Sequence, residues 1–153
     1  MLTAEYVAGF FDGEGTVGIT KSGYDKHVYL RVSVSNTNLG ILHTLKAQFG
    51  GFLSLTGKKK PNWKASGEWI IGGKAAAEFL RFIEPFVILK KSQVVLGLEF
   101  WSFQKKPLRE RCNVISGPNT HTRVQRKPET IAKEIEFKSQ MSVLNKKGSE
   151  VAA

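Results

Sequence analysis

The run YVAGFF, residues 6 to 11, is apolar on every side of a helix. Tyr6 and Phe10 make one i, i+4 stripe and Val7 and Phe11 a second, while Ala4 with Ala8 and Gly9 with Gly13 leave a bare one. Thr3 is placed to cap the helix, Glu5 lies in its first turn, and the pattern predicts an end near Gly13. A helix of this kind has to be covered all round. Its large residues can pack on the chain's own sheet, and its small stripe lets another backbone approach closely. No second helix of this type follows, so the simplest partner is the same helix from a second copy.

After Gly15 the period falls to two. In TVGITK, Val17 and Ile19 alternate with Thr16, Gly18 and Thr20; SGYD reads as a turn; in HVYLRVSVS, Val28, Leu30, Val32 and Val34 oppose His27, Tyr29, Arg31, Ser33 and Ser35. NTNLGILHTLKAQFGG reads as a capped helix with Leu39, Leu42, Leu45 and Phe49 inward. A second hairpin follows: FLSLT sets Leu53 and Leu55 against Ser54 and Thr56, GKKKPN is a basic loop, and WKASGEWIIGG returns. Then come an amphipathic helix broken near Pro85, the apolar helical stretch SQVVLGLEFWSFQ, a loop-like segment from Lys105 to Lys127, and a helix opened by Pro128. The order predicts one α+β domain over residues 1–153. It is an antiparallel curved sheet of two hairpins covered on one face by helices, with its core at about 3–104. A helical extension is expected over 105–147 and a disordered tail over 148–153.

Charge changes the picture. Lys and Arg total 23 against 13 Asp and Glu, a net charge of +10, which favours a polyanion such as nucleic acid over a membrane. No apolar run approaches the ~20 residues needed to span a bilayer. MLTAEYVAGF lacks the basic start of a signal peptide, so an intracellular protein is expected. The single Cys112 and the scattered His27, His43 and His121 offer no ligand spacing. What stands out is Asp12 and Glu14, two acids at a helix C-terminus, where the dipole disfavours negative charge by about 0.3–1 kcal/mol.

YVAGFFDGEG resembles the signature helix of the LAGLIDADG homing endonucleases, ending in that family's Asp-Gly-(Asp/Glu)-Gly form. The helix–hairpin–helix–hairpin–helix order over residues 3–104 is also similar. The resemblance implies a sequence-specific double-stranded DNA endonuclease that cuts a long, near-palindromic site across the minor groove and leaves 3′ overhangs. It implies that Glu14 and the Gly13 carbonyl bind Mg²⁺, or another divalent cation such as Mn²⁺ or Ca²⁺, and that Asp12 is mainly structural. A cation there would reverse the dipole penalty, and Mg²⁺ takes hard oxygen ligands while keeping waters. One motif copy implies a homodimer whose interface includes Ala4, Ala8, Gly9, Phe11 and Asp12.

Further positions carry over. Lys90, with Lys91 as its neighbouring competitor, stands where relatives keep an active-site lysine, and Asn36 where they carry a polar side chain that orders solvent. Thr16, Thr20, Tyr29, Arg31, Ser33, Ser54 and Thr56 are candidates for DNA contact from the strand faces, Arg31 above all for guanine. Lys58, Lys59, Lys60 and Lys64 are candidates for phosphate. Trp63 and Trp69 stay undecided between DNA and core. An RNA-binding maturase on the same scaffold, or a non-catalytic DNA-binding regulator, remains the alternative, so RNA stays open as a partner. The host compartment is expected to be an organelle, chloroplast or mitochondrion, or a prokaryotic cytoplasm.

Overall fold

In a computed structural model that describes residues 1–23, 27–57, 60–117 and 120–146, the first helix, α1, spans Ala4–Glu14. Thr3 caps it by accepting from the Tyr6 N–H at 3.3 Å. The chain then passes directly into β1 (Gly15–Lys21), which pairs antiparallel with β2 (Val28–Asn36), Gly15 lying opposite Val34 and Lys21 opposite Val28. Helix α2 (Leu39–Phe49) is capped by Asn38, and Gly50 and Gly51 follow it at φ 75° and 90°. A Cβ on Gly51 would stand 2.5 Å from the Ile70 carbonyl, so this reversal into β3 (Phe52–Thr56) admits no side chain. Strand β4 (Ser66–Gly72) pairs with both β2 and β3, giving one antiparallel sheet ordered β1-β2-β4-β3. Helices α3 (Gly73–Ile83) and α4 (Lys91–Gln104) complete the covering layer.

The strand alternation sends one face into the core. Val17, Leu30, Val32, Val34, Trp69 and Ile71 meet Leu42, Leu45, Phe79, Leu80, Val94 and Phe100 from the helices. Trp69 is wholly buried; its indole N–H donates to the Gly50 carbonyl at 2.9 Å and its ring packs edge-on against Phe79. That settles Trp69 as core.

The loop expected from Lys105 to Lys127, and the purely helical extension it belonged to, need correction. A short α5 (Leu108–Arg111) leads into a two-stranded ribbon, β5 (Cys112–Gly117) and β6 (Thr120–Arg126), before α6 (Pro128–Leu144). Among the ribbon's described side chains Val114 and Val124 oppose each other and both stay exposed, so this pair gives no buried period to read. Its base is fixed instead by polar contacts. The Lys127 N–H and the Thr130 hydroxyl both donate to the Arg111 carbonyl at 2.9 Å, and Arg126 pairs with the buried carboxylate of Glu134. Helix α6 returns along α4 and β1, where the Asn145 side-chain amide donates to the Val17 carbonyl at 2.7 Å. Lys58, Lys59, residues 24–26 at the end of and just after SGYD, residues 118–119 and the tail from 147 lie outside the described residues.

Candidate functional site

The site forms where α1 ends against the α3–α4 connection. Val7, Ala8 and Phe11 face inward, with the Phe11 ring 5.5 Å from that of Phe79. Ala8 and Phe11 are therefore core residues, which corrects their place in the expected dimer contact. On a helix apolar all round, periodicity cannot say which stripe meets the chain's own sheet, and the sheet took this one. The outward stripe holds Tyr6, Gly9 and Gly13, while Ala4 and Asp12 are half-buried beside it.

Asp12 resolves half of the dipole puzzle. Its carboxylate accepts from the backbone N–H of Ile88 at 2.8 Å and of Lys90 at 3.0 Å. Lys90 is the N-cap position of α4 and supplies no side-chain cap of its own. The acid at the unfavourable end of α1 thus stands at the favourable end of α4, where it takes up the N–H of the N-cap residue and of Ile88 two residues before it and ties the two helix ends together. The Lys90 amine donates in turn to the Asp12 carbonyl. Burial pushes that amine below the usual lysine value, against the opposing pull of the Asp12 and Glu14 charges. Lys91 turns away to Glu84, donating to its carbonyl at 2.5 Å, so geometry separates the two lysines.

Glu14 is exposed and, among the described residues, has no hydrogen-bond or ion-pair partner. Gly13 belongs to the last turn of α1, where carbonyls lack intrahelical donors. A free carboxylate beside such carbonyls is a hard-oxygen donor set that fits a magnesium-like cation. Among the described residues no three His, Cys, Asp or Glu gather as a closed metal cage. Asn36 closes β2 two residues beyond Val34, the partner of Gly15, and therefore at the same end of the sheet. Its side-chain oxygen accepts from the Asn38 N–H at 2.8 Å, and among the described residues its amide N–H₂ has no hydrogen-bond partner.

From this end the outer sheet face extends. Register puts Thr16, Thr20, Tyr29, Arg31, Ser33, Ser54 and Thr56 together on it, with Thr16 opposite Ser33 and Thr20 opposite Tyr29. Lys60, Lys64 and Trp63 are exposed in the β3–β4 loop, the Lys60 amine 5.5 Å from the Trp63 ring. Three residues of the face escaped the sequence reading: Glu68, Ile70 and Phe52. Once Trp69 points inward, alternation along β4 sends Glu68 and Ile70 outward, and Phe52 pairs opposite Ile70. Arg31 is not free, because its guanidinium meets the Glu68 carboxylate at 3.0 Å.

Among solved structures, the homing endonuclease I-CvuI in complex with the I-CreI target, with Mg and the DNA not cleaved, superposes with TM-score 0.66 at 17% identity, covering 92% of this chain and 80% of that one. The archaeal intron-encoded homing endonuclease I-Vdi141I complexed with DNA gives TM-score 0.66 at 14% identity, covering 95% and 85%. The homing endonuclease I-TnaI gives 0.65 at 18%, covering 97% and 92%. These likenesses establish the fold. No curated protein matches by sequence. The family model for the LAGLIDADG-like domain matches residues 1–84 of the 153, taking in α1, both hairpins and α3, and the chain belongs to that family.

Proposed function

We propose that this chain is a homing endonuclease: a homodimer that binds a long, near-palindromic DNA duplex on its outer sheet face and cuts both strands with Mg²⁺. The observation that carries the reading is an exposed Glu14 whose charge acts on the Lys90 amine, itself held on the Asp12 carbonyl, at one end of a polar strand face. Glu14 and the Gly13 carbonyl would hold the divalent cation, which when bound supplies a Lewis acid and an ordered water at the scissile phosphate. Lys90 would place a positive charge where the phosphorane develops negative charge. Asn36 would orient solvent with its side-chain amide. The sheet face would read bases, and Lys60 and Lys64 would hold phosphates.

The homodimer follows from the outward stripe of α1. Gly9 and Gly13 let the same helix of a second copy approach, which would bring both Glu14 residues to the middle of the groove. An isologous pair of this kind fits a palindromic site. Cuts across the minor groove would then leave 3′ overhangs.

The test is a randomised duplex library incubated with the protein and with Glu14→Gln, with and without Mg²⁺, followed by sequencing of the cut ends. Metal-dependent cuts at one near-palindromic site, lost in the variant while binding persists, are expected. Tight binding of DNA or RNA by both proteins with no cutting by either would refute the assignment to Glu14.

A further inference from the structure

The outer sheet face contains one charged pair, Arg31 on β2 and Glu68 on β4, joined at 3.0 Å. Its surroundings are unusual for a structural salt bridge. Arg31 has a glycine as its register partner on both sides, Gly18 on β1 and Gly72 on β4. Neither glycine has a positive φ. At Gly18 an added Cβ would meet only the Thr20 hydroxyl at 3.5 Å and the Arg31 carbonyl at 3.9 Å, ordinary contacts, so the backbone does not demand glycine there. At Gly72 an added Cβ would meet the Leu30 carbonyl at 3.3 Å and the Tyr29 ring at 3.8 Å, so no side chain stands beside Arg31 at either register partner. Glu68 stands opposite Ser35, four residues along from the Gly72–Arg31 pair, so the arginine lies down along the strand to reach it.

The arrangement is also incompletely satisfied. The Arg31 Nε is buried without a hydrogen-bond partner, although both side chains of the pair remain about one-third exposed (32% and 36%). An unpaired buried donor works against the conformation that buries it. A carboxylate on a face that would meet DNA also repels phosphate, so Glu68 lowers affinity for any duplex that gives it nothing to accept.

A single kind of partner answers both features. A G·C pair offers, side by side in the major groove, the guanine O6 and N7 acceptors and the cytosine N4 amine donor. Arg31 supplies the donors that match guanine, and Glu68 supplies the acceptor that matches cytosine. We infer that Arg31 and Glu68 together form the reader of a G·C step in each half-site, with Glu68 as its specificity-determining residue. Free of DNA, Glu68 holds Arg31 down along the sheet face. On a G·C target the arginine rises to guanine, and Glu68 takes the cytosine amine. On other DNA the carboxylate is left facing acceptors and rejects the site.

The inference rests on the DNA-binding reading above, and the experiment separates the two. Duplexes are selected from a random library by binding in Ca²⁺, using the wild type, Glu68→Gln, Arg31→Met and the exchanged pair Arg31→Glu with Glu68→Arg. The wild type is expected to require G·C at one position of each half-site. Arg31→Met and Glu68→Gln are both expected to lose that requirement at that same position. The loss of preference there should be roughly 5- to 150-fold, the range for one bidentate base contact. Glu68→Gln should also bind random duplex more tightly than the wild type. The exchanged pair restores any structural ion pair, yet it should not restore the G·C requirement. An unchanged Glu68→Gln preference, a change at a position that Arg31→Met leaves alone, or a wild-type preference in the exchanged pair would each overturn the inference. If the wild type enriches no sequence at all, the DNA-binding reading itself fails.

Discussion

Replacing Asp12 with alanine should loosen the junction between α1 and α4 while leaving the Glu14 carboxylate in the chain. The wild-type carboxylate accepts two backbone N–H groups, from Ile88 and Lys90, at 2.8 and 3.0 Å. A hydrogen bond to a charged group contributes about 1.5–3 kcal/mol net. The bond to Lys90 is partly buried and that to Ile88 exposed, so the lower end applies to the first and less to the second, and their sum is at most about 3 kcal/mol. Asp12→Asn keeps one uncharged acceptor and should cost about 1–2 kcal/mol. Against a typical domain stability of about 5–15 kcal/mol, both variants stay folded. With a urea slope near ~2 kcal/mol/M, the alanine midpoint should fall by up to roughly 1.5 M and the asparagine midpoint by about half of that. Metal-dependent cleavage should fall further than stability, because the Lys90 amine is held by the Asp12 carbonyl at the same junction. An alanine midpoint within ~0.3 M of wild type would refute the view that this carboxylate ties the start of α4 to the end of α1.

Three other outcomes can be measured. Burial lowers the Lys90 value below the 10.5 of an unfolded lysine, so between the two values the unfolded chain binds more protons and stability rises with pH. In metal-free buffer, urea midpoints of the wild type should therefore gain on those of Lys90→Met between neutral pH and 10.5, and parallel curves would contradict this. Neutralising Lys60 and Lys64 together should lower the salt dependence of DNA binding by about 1.8 in log–log slope with the selected sequence unchanged; an altered sequence would make them base readers. Gly51→Ala should cost about 2–4 kcal/mol, from positive φ and from the Ile70 carbonyl at 2.5 Å, and a wild-type melting temperature would contradict the geometry of that turn.

How much of this was legible in the chain depended on whether the cause was local. Thr3, the two-residue alternation of β1 and β2, and the Gly50–Gly51 reversal each act over a few residues, and the αββαββ order could be read from them. The resemblance of YVAGFFDGEG marked Asp12 and Glu14, but no spacing announces that Asp12 binds the N-cap N–H of a helix 78 residues away. That pairing exists only because α4 packs beside α1. The same limit hid Glu68, which takes its meaning from an arginine 37 residues earlier. Ala8 and Phe11 were misplaced because pattern gives the period of a buried stripe but not its partner. The β5–β6 ribbon was read as loop because its opposed pair Val114 and Val124 stays exposed, so no buried alternation marks the strands.

The bond from Asn145 to the Val17 carbonyl has a consequence for how the protein is made. β1 is an outer strand of the sheet, and part of its open edge is closed by a residue 128 positions downstream. On a ribosome adding about 5–20 residues per second, that edge waits roughly 6–25 s for its cover. An uncovered strand edge is a template for another chain to pair with. Nascent chains on one crowded message, or fragments ending before α6, would expose the same template. The end of the final helix therefore covers one edge carbonyl of the first strand only once nearly the whole described chain has been made.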